Sequence, residues 1–161
     1  MNNQEKLGVE QLVKENITGN GSLDLENRKL GDDGATSLSN LQLLSQVTTL
    51  VLGDNEITDK GIEALCSSPY LSQVKVLNLK SNKITSGGAK LLAKSSNWYN
   101  LDQLVLKFNE IGEEGAKYIA KSESLSNLST LDLFRNHIGP EGALAIKSSP
   151  NLKKLSRVRL D

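Results

Sequence analysis

The chain repeats one phrase at a fixed interval, and this period limits its fold more than any other feature. The segments LVLGDNEITDKGIEAL, LNLKSNKITSGGAKLL, LVLKFNEIGEEGAKYI and LDLFRNHIGPEGALAI start at residues 50, 77, 104 and 131, which are 27 residues apart. A period of about 20–50 residues is typical of solenoids. One unit of a solenoid cannot bury its own apolar face, whereas stacked units share a continuous core.

Each repeat begins with a short strand. Its leucines alternate as Leu-x-Leu, the period-2 pattern of a strand with one buried face. An asparagine column follows, and an amide side chain can satisfy backbone groups where the chain leaves the strand. The inward columns run from Leu23 and Leu25 to Val158 and Leu160. The pattern predicts strands near residues 22–25, 49–52, 76–79, 103–106, 130–133 and 157–160.

The second half of each repeat has the pattern of a helix. Acidic residues stand near its start, where they meet the positive end of the helix dipole. A glycine column (Gly34, Gly61, Gly88, Gly115, Gly142) indicates close backbone packing. Apolar residues one and four positions after each glycine form an inward stripe, which includes Leu38, Leu65, Leu92, Ile119 and Ile146.

The combined pattern, LxxLxLxxNxIxxxGxxxL, resembles the leucine-rich repeat, specifically its ribonuclease-inhibitor-like subfamily, over residues 20–161. The resemblance implies an α/β horseshoe solenoid of 27-residue β-α repeats, with about six parallel strands on the concave side and helices on the convex side. Arg28 replaces the first ladder asparagine. Residues 1–19, which carry Leu7, Val13 and Ile17, are interpreted as an N-terminal capping helix. The repeats are also similar in style to leucine-rich-repeat effectors of intracellular bacteria such as Legionella.

Side chains that flank the inward leucines are free to vary, so a partner-binding site is expected among them. Both phenylalanines of the chain fall in this set. Aromatic and arginine residues carry much of the energy of protein interfaces. Valine is also simply a good strand residue, so for each valine alone the structural interpretation is favoured. The predicted partner-binding residues are Val51, Val76, Asn78, Lys80, Val105, Lys107, Phe108, Asp132, Phe134, Arg135, Arg157 and Arg159.

Composition argues against several classes of protein. Lys+Arg and Asp+Glu both number 19, which disfavours nucleic-acid binding and a polybasic membrane surface. No segment is apolar enough for a signal peptide or a membrane span. One cysteine, Cys66, suits a reducing compartment, so a cytoplasmic location is expected. If the chain is a bacterial effector, the expected location is the cytoplasm of a host cell into which it is delivered. One histidine and one cysteine leave almost no nucleophile–base pair, so neither an enzyme nor a cofactor or metal site is expected.

Three functions remain open at the level of sequence. The resemblance implies a non-enzymatic module that binds a convex knob or loop of a protein partner on its concave face. Inhibition or regulation of a partner enzyme, either a host protein or another effector, is one form of this function. The alternatives are a GTPase-activating protein of the Ran-activating type and a self-assembling scaffold. A monomer is expected in isolation, although the last repeat ends after its strand, "LSRVRLD".

Overall fold

Strands and helices alternate along the whole chain. The computed structural model describes the backbone of residues 3–161 and the side chains of residues 8–161. Within this range the helices are α1 Asn3–Asn16, α2 Gly31–Ser39, α3 Asp59–Cys66, α4 Ser86–Lys94, α5 Gly112–Ala120 and α6 Gly139–Lys147. The strands are β1 Ser22–Asp24, β2 Thr49–Val51, β3 Val76–Asn78, β4 Gln103–Val105, β5 Thr130–Asp132 and β6 Arg157–Arg159. Two short 3-10 helices, Gln42–Gln46 and Ser96–Trp98, precede β2 and β4.

The six strands form one parallel sheet in the order of the sequence. Residues exactly one period apart pair with each other, such as Leu23 with Leu50 and Leu104 with Leu131. Helices are about 10 Å wide, whereas neighbouring strands lie about 4.8 Å apart, so the stack curves with its sheet on the inner side. The predicted α/β solenoid, with its six-stranded concave sheet, is confirmed.

Each strand has three residues, one fewer than predicted. The chain bends after the residue between the two leucines, and in three of the six strands (β1, β3 and β5) that side chain accepts the backbone N–H two residues further on. Asp24 Oδ1 accepts from Glu26 N at 3.0 Å, and Asn78 Oδ1 accepts from Lys80 N at 3.1 Å. The bend moves the following residues onto the rim of the sheet.

The core consists of the predicted aliphatic columns. Leu50, Leu77 and Leu104 are fully buried, and the inward stripe of the helices is at most 2% exposed. Trp98 occupies a leucine position and is also fully buried. One predicted inward residue is wrong: Val158 is 41% exposed. It lies on β6, the last strand of the sheet, and no further strand of the described chain covers that side.

The asparagine column joins consecutive repeats. Asn82 Oδ1 accepts from Asn55 N at 3.1 Å and from Ile57 N at 3.0 Å, both in the preceding repeat. Asn82 Nδ2 donates to Leu52 O at 3.0 Å. In the last repeat an aspartate takes this place, since the Asp161 carboxylate accepts from the backbone N–H groups of Asn136 and Ile138, each at 3.0 Å. The asparagines therefore form hydrogen bonds between consecutive repeats as well as within their own turns.

Acidic residues at two helix starts also bridge repeats. Asp32 on α2 accepts hydrogen bonds from Thr58 N at 2.8 Å, from Thr58 Oγ1 at 2.6 Å and from Gly61 N at 2.9 Å. Partial burial alone would raise the pKa of Asp32, but these bonds and the charge of Lys60 hold that pKa below its ordinary value. Asp59 repeats the arrangement on Thr85. A Cβ at Gly61 would lie 2.7 Å from Asp32 Oδ1, so a side chain larger than hydrogen would displace the carboxylate.

Helix α1 lies beside α2 and β1, at the first end of the sheet. Val13 is fully buried there, and Leu12 and Ile17 pack partly against the core. Asn16 Oδ1 accepts from the Arg28 guanidinium at 3.2 Å, which links α1 to the first repeat. The side chain of Leu7 lies outside the described residues. The division of the chain at residue 19 stays a prediction.

Candidate partner-binding surface

The predicted binding residues all lie on the concave side of the sheet or on its rim, and none of them is buried. Val51, Val76 and Val105 are half-buried within the strands, beside the inward leucines. Phe108, Arg135, Arg157 and Arg159 are the most exposed members of the set. The structure thus gathers these side chains on one face, and their contact with a partner stays a prediction.

Four of these side chains form a compact group, called here the Phe–Arg cluster: Phe108, Phe134, Arg135 and Arg159. The two rings meet edge to face, with centroids 6.0 Å apart and planes at 76°. The Arg135 guanidinium carbon lies 5.7 Å from the Phe108 centroid and 5.6 Å from the Phe134 centroid. That of Arg159 lies 4.1 Å from the Phe134 centroid. Both the ring geometry and the cation–ring distances are favourable, so the contacts within the group stabilise this arrangement of the four side chains.

The backbone brings the two rings together. Phe108 N donates to Phe134 O at 2.9 Å, and Phe134 N donates to Asp132 Oδ1 at 3.0 Å. The first bond ties the turn after β4 to the turn after β5, and the second holds the turn after β5 itself. Sequence spacing predicted that both rings face the concave side, but it could not show that they touch, because they occupy different columns of the repeat.

Phe108 has an unusual backbone conformation, with φ at 60°. The equivalent positions in the other repeats have the same left-handed geometry: Asn27, Asp54, Ser81 and Arg135. Asparagine and aspartate tolerate this region, whereas a bulky residue is strained there by about 1–2 kcal/mol. This strain was not predicted from the sequence, although Asn27, Asp54 and Ser81 in the same column are a signal of a left-handed turn.

The N-terminal part of the concave face differs in charge. Lys80 Nζ lies 2.8 Å from Glu26 Oε1 and 3.8 Å from Asp54 Oδ2. The hydrogen bond with Glu26 raises the pKa of Lys80. The stem of Lys80 also packs over Gly53, where a Cβ would lie 2.8 Å from Lys80 Cγ. Lys80 thus has a role within the fold, as do Asn78 and Asp132 through their turn hydrogen bonds.

Residues with chemical reactivity lie away from this surface. The Cys66 sulfur accepts a hydrogen bond from Trp98 Nε1 at 3.4 Å. Burial raises the pKa of the Cys66 thiol to about 11, so it stays protonated at neutral pH. His137 is exposed in the turn after β5. Within residues 8–161 no group of three acidic, histidine or cysteine side chains is placed to hold a metal ion. In the same part of the chain, no helix has both the length and the apolar content for crossing a bilayer.

Fold and surface together define a parallel β-α solenoid with an open concave face, a class of protein-binding repeat protein. The sequence profile described as "Leucine Rich repeat" matches residues 46–66, 72–93, 100–120 and 124–147, which is more than half of the chain. The chain belongs to the leucine-rich repeat family. This fold is typical of modules for protein–protein interaction, and members of the family are generally not enzymes.

Several solved structures resemble the chain. An internalin (inlF) from Listeria monocytogenes is 31% identical with a TM-score of 0.52, and the match covers 76% of this chain but 30% of the internalin chain. Actin-binding site 2 of leiomodin-1 is 18% identical with a TM-score of 0.66, covering 91% of this chain and 89% of its own. The tropomodulin C-terminal domain from Caenorhabditis elegans is 16% identical with a TM-score of 0.63, covering 92% of both chains. The last two show a shared fold only. No curated protein matches the chain in sequence.

Proposed function

We propose that the chain is a non-enzymatic binding module, whose concave face receives a convex knob or loop of a protein partner at the Phe–Arg cluster. One observation carries this proposal. The chain holds an aromatic pair on its concave side and keeps Phe108 there at a strained φ of 60°. The same turn occurs in the other repeats, so the cost lies in the choice of phenylalanine at this position. Strained residues cluster at functional sites.

The size of the sheet limits what this face can bind. A stable interface buries about 800 Å² on each partner, so the partner must use most of the concave face and part of its rim. A few aromatic and arginine residues carry most of the energy of such interfaces. A projecting knob or loop fits a curved sheet of six strands better than a flat surface does. When that projection contains an active site, binding inhibits or regulates the partner enzyme.

Affinity capture of partners, with matched variants, tests the proposal. Phe108→Ala with Phe134→Ala removes the aromatic pair. Tyr99→Ala with Leu144→Ala removes two side chains that are 50% and 59% exposed outside the cluster. A partner captured by the wild type and the control pair, but lost with the phenylalanine pair, supports the proposal. Partners that are retained by the phenylalanine pair and lost with the control pair would place binding elsewhere.

Cellular setting is part of the same proposal. We infer a cytoplasmic protein from the single thiol, which the fold keeps protonated and half-buried. The chain is 31% identical to a Listeria internalin, which supports the proposal that its repeats are of a bacterial type. On that basis we infer an effector that acts on a host protein or on another effector. A GTPase-activating function has only the fold in its favour.

The scaffold hypothesis has one specific observation behind it. Val158 is 41% exposed on the outer strand β6, between the charged residues Arg157 and Arg159. Charges on an edge strand oppose pairing with another chain. We therefore propose a monomer, and sedimentation velocity at increasing protein concentration tests it. A dimer that persists at the lowest concentration would favour the scaffold.

A further inference from the structure

We propose that the Phe–Arg cluster recognises a short acidic segment of a protein partner, in which aspartate or glutamate residues flank an apolar side chain. This inference rests on the proposed function, since it specifies the chemistry of the partner at the same surface. It follows from the charges around the two rings.

Positive charge at this end of the concave face is not neutralised within the chain. Lys107, Arg135, Arg157 and Arg159 belong to none of the ion pairs found among residues 8–161. Asp132 is the register partner of Arg159 on the neighbouring strand, but its Oδ1 accepts the Phe134 N–H. The other cation of the concave face, Lys80, already has Glu26 and Asp54. The Asp161 carboxylate, two residues after Arg159, is likewise held by the N–H groups of Asn136 and Ile138. Four cations and two committed carboxylates leave an excess of positive charge.

The guanidinium groups lie where they can donate hydrogen bonds to carboxylates. Arg135 lies over both rings, and Arg159 lies 4.1 Å from the Phe134 centroid. A cation–π contact uses none of the guanidinium N–H donors in a hydrogen bond, so these donors remain available for a bidentate bond to a carboxylate. Arg157 and Arg159 point to the same side of β6, about 6.6 Å apart along the strand. A surface cavity of about 340 Å³ lies beside them, lined by Thr130, Asp132, Arg157 and Val158 among others.

Dimensions favour a short segment. The charged group extends from β4 to β6, a distance of about 10 Å, which three or four extended residues span. Apolar side chains of that segment meet the rings, and its carboxylates meet the arginines on either side.

The opposite end of the same face disfavours a long polyanion. Asp24, Glu26 and Asp54 lie there, with Lys80 as their nearby cation. A nucleic-acid strand that continues along the sheet would meet these carboxylates. The rings also meet edge to face and have cations over them, so they do not offer parallel platforms for stacked bases. Electrostatic complementarity therefore selects a local acidic segment.

Selection from a displayed library of random twelve-residue peptides tests the inference. The library is selected in parallel against the wild type, Arg135→Gln with Arg159→Gln, Phe108→Ala with Phe134→Ala, and the control Tyr99→Ala with Leu144→Ala. The wild type and the control are expected to enrich acidic peptides with an apolar residue between the charges. Removal of both arginine charges is expected to weaken the best acidic peptide about tenfold or more, and raising the salt concentration is expected to weaken it further.

The outcomes separate this inference from the proposed function. Enrichment of neutral or basic peptides whose binding requires Phe108 and Phe134 would overturn the acidic segment but would support the concave face as the binding site. Enriched peptides that bind all variants equally, or no enrichment at all, would overturn both. If a twelve-nucleotide oligo(dT) displaced the acidic peptide at a lower concentration than the unlabelled peptide does, the ligand would be a nucleic acid and the acidic segment would be overturned.

Discussion

At the scale of single residues, Phe108 is a side chain that the fold does not require but that the proposed binding uses. Its ring is 42% exposed, and its φ of 60° belongs to a region that asparagine and aspartate occupy at less cost. The repeat itself therefore has no need of a phenylalanine here, and the equivalent residues Asn27 and Asp54 show which side chains the turn accepts easily.

Comparison of Phe108→Asn with Phe108→Ala isolates the backbone strain. Both variants lose the ring, but alanine keeps the steric cost of the left-handed conformation. We expect Phe108→Asn to be more stable than Phe108→Ala by about 1 kcal/mol, measured by urea unfolding. Both variants are expected to lose partner affinity. Equal stabilities would show that the turn imposes no strain on the residue at 108.

Buried leucines show the opposite behaviour. Leu106 is fully buried between two repeats, so Leu106→Ala is expected to lower the free energy of unfolding by about 2–5 kcal/mol. Leu144→Ala is the matched control, because that leucine is 59% exposed and its truncation is expected to cost less than about 0.5 kcal/mol. Similar losses in the two variants would argue against the assignment of inward and outward positions.

At the scale of elements, the links between repeats are polar as well as apolar. The asparagine column could be predicted from the sequence because its period is regular and its chemistry is simple. Its partners could not, since each amide bonds across to the preceding repeat, about 25 residues away, as well as within its own turn. The bridges from Asp32 to Thr58 and from Asp59 to Thr85 could not be predicted for the same reason, since position near a helix start indicates only an interaction with the helix dipole.

Removal of one ladder asparagine tests these links. Asn109 accepts from Ile84 N at 3.0 Å and donates to Leu79 O at 3.0 Å and to Leu106 O at 2.8 Å. Asn109→Leu leaves all three buried backbone groups without this partner, so a loss of about 3 kcal/mol or more is expected in urea unfolding. Asn100→Leu is the control, because the exposed Asn100 amide makes a single hydrogen bond between repeats, to Ser72 O at 2.8 Å, where water can replace it. If both variants were equally stable, the ladder would not hold the repeats together.

The bridging carboxylate Asp32 makes stability depend on pH. Its pKa is lower in the folded chain than its ordinary value of 3.8, so the folded state gains stability above that value. This gain is lost as pH falls from about 4 through the lowered pKa of the folded state. We expect Asp32→Asn to be less stable than the wild type at pH 7 and to differ less from it at pH 3. A constant difference between pH 7 and pH 3, measured by urea unfolding, would contradict this.

At the scale of the whole molecule, the solenoid could be predicted from the sequence because the same pattern recurs in every repeat. The inward columns, the order of the strands and the convex helices all follow from that period. Local departures from it were harder to predict. Val158 belongs to an inward column but is exposed on the outer strand, and Asp161 takes the role of a ladder asparagine although it stands two positions before the expected column.

The candidate site could be predicted only as a set of side chains on one face. Contact between the two phenylalanine rings depends on the turns after β4 and β5 lying side by side, which is a tertiary property. The neutralisation of Lys80 and the excess positive charge near Arg135 also arise from contacts between repeats. These contacts cannot be predicted from any single column of the repeat.

The central claim is that the stacked leucines hold the fold while the concave Phe–Arg cluster binds the partner. Calorimetric titration of a captured partner into the wild type, the Phe108→Ala with Phe134→Ala variant and the Tyr99→Ala with Leu144→Ala control tests it most directly. The phenylalanine pair is expected to lose about 2–4 kcal/mol of binding free energy while it remains folded, and the control to change by less than about 0.5 kcal/mol. Unchanged affinity in the phenylalanine pair would contradict the claim.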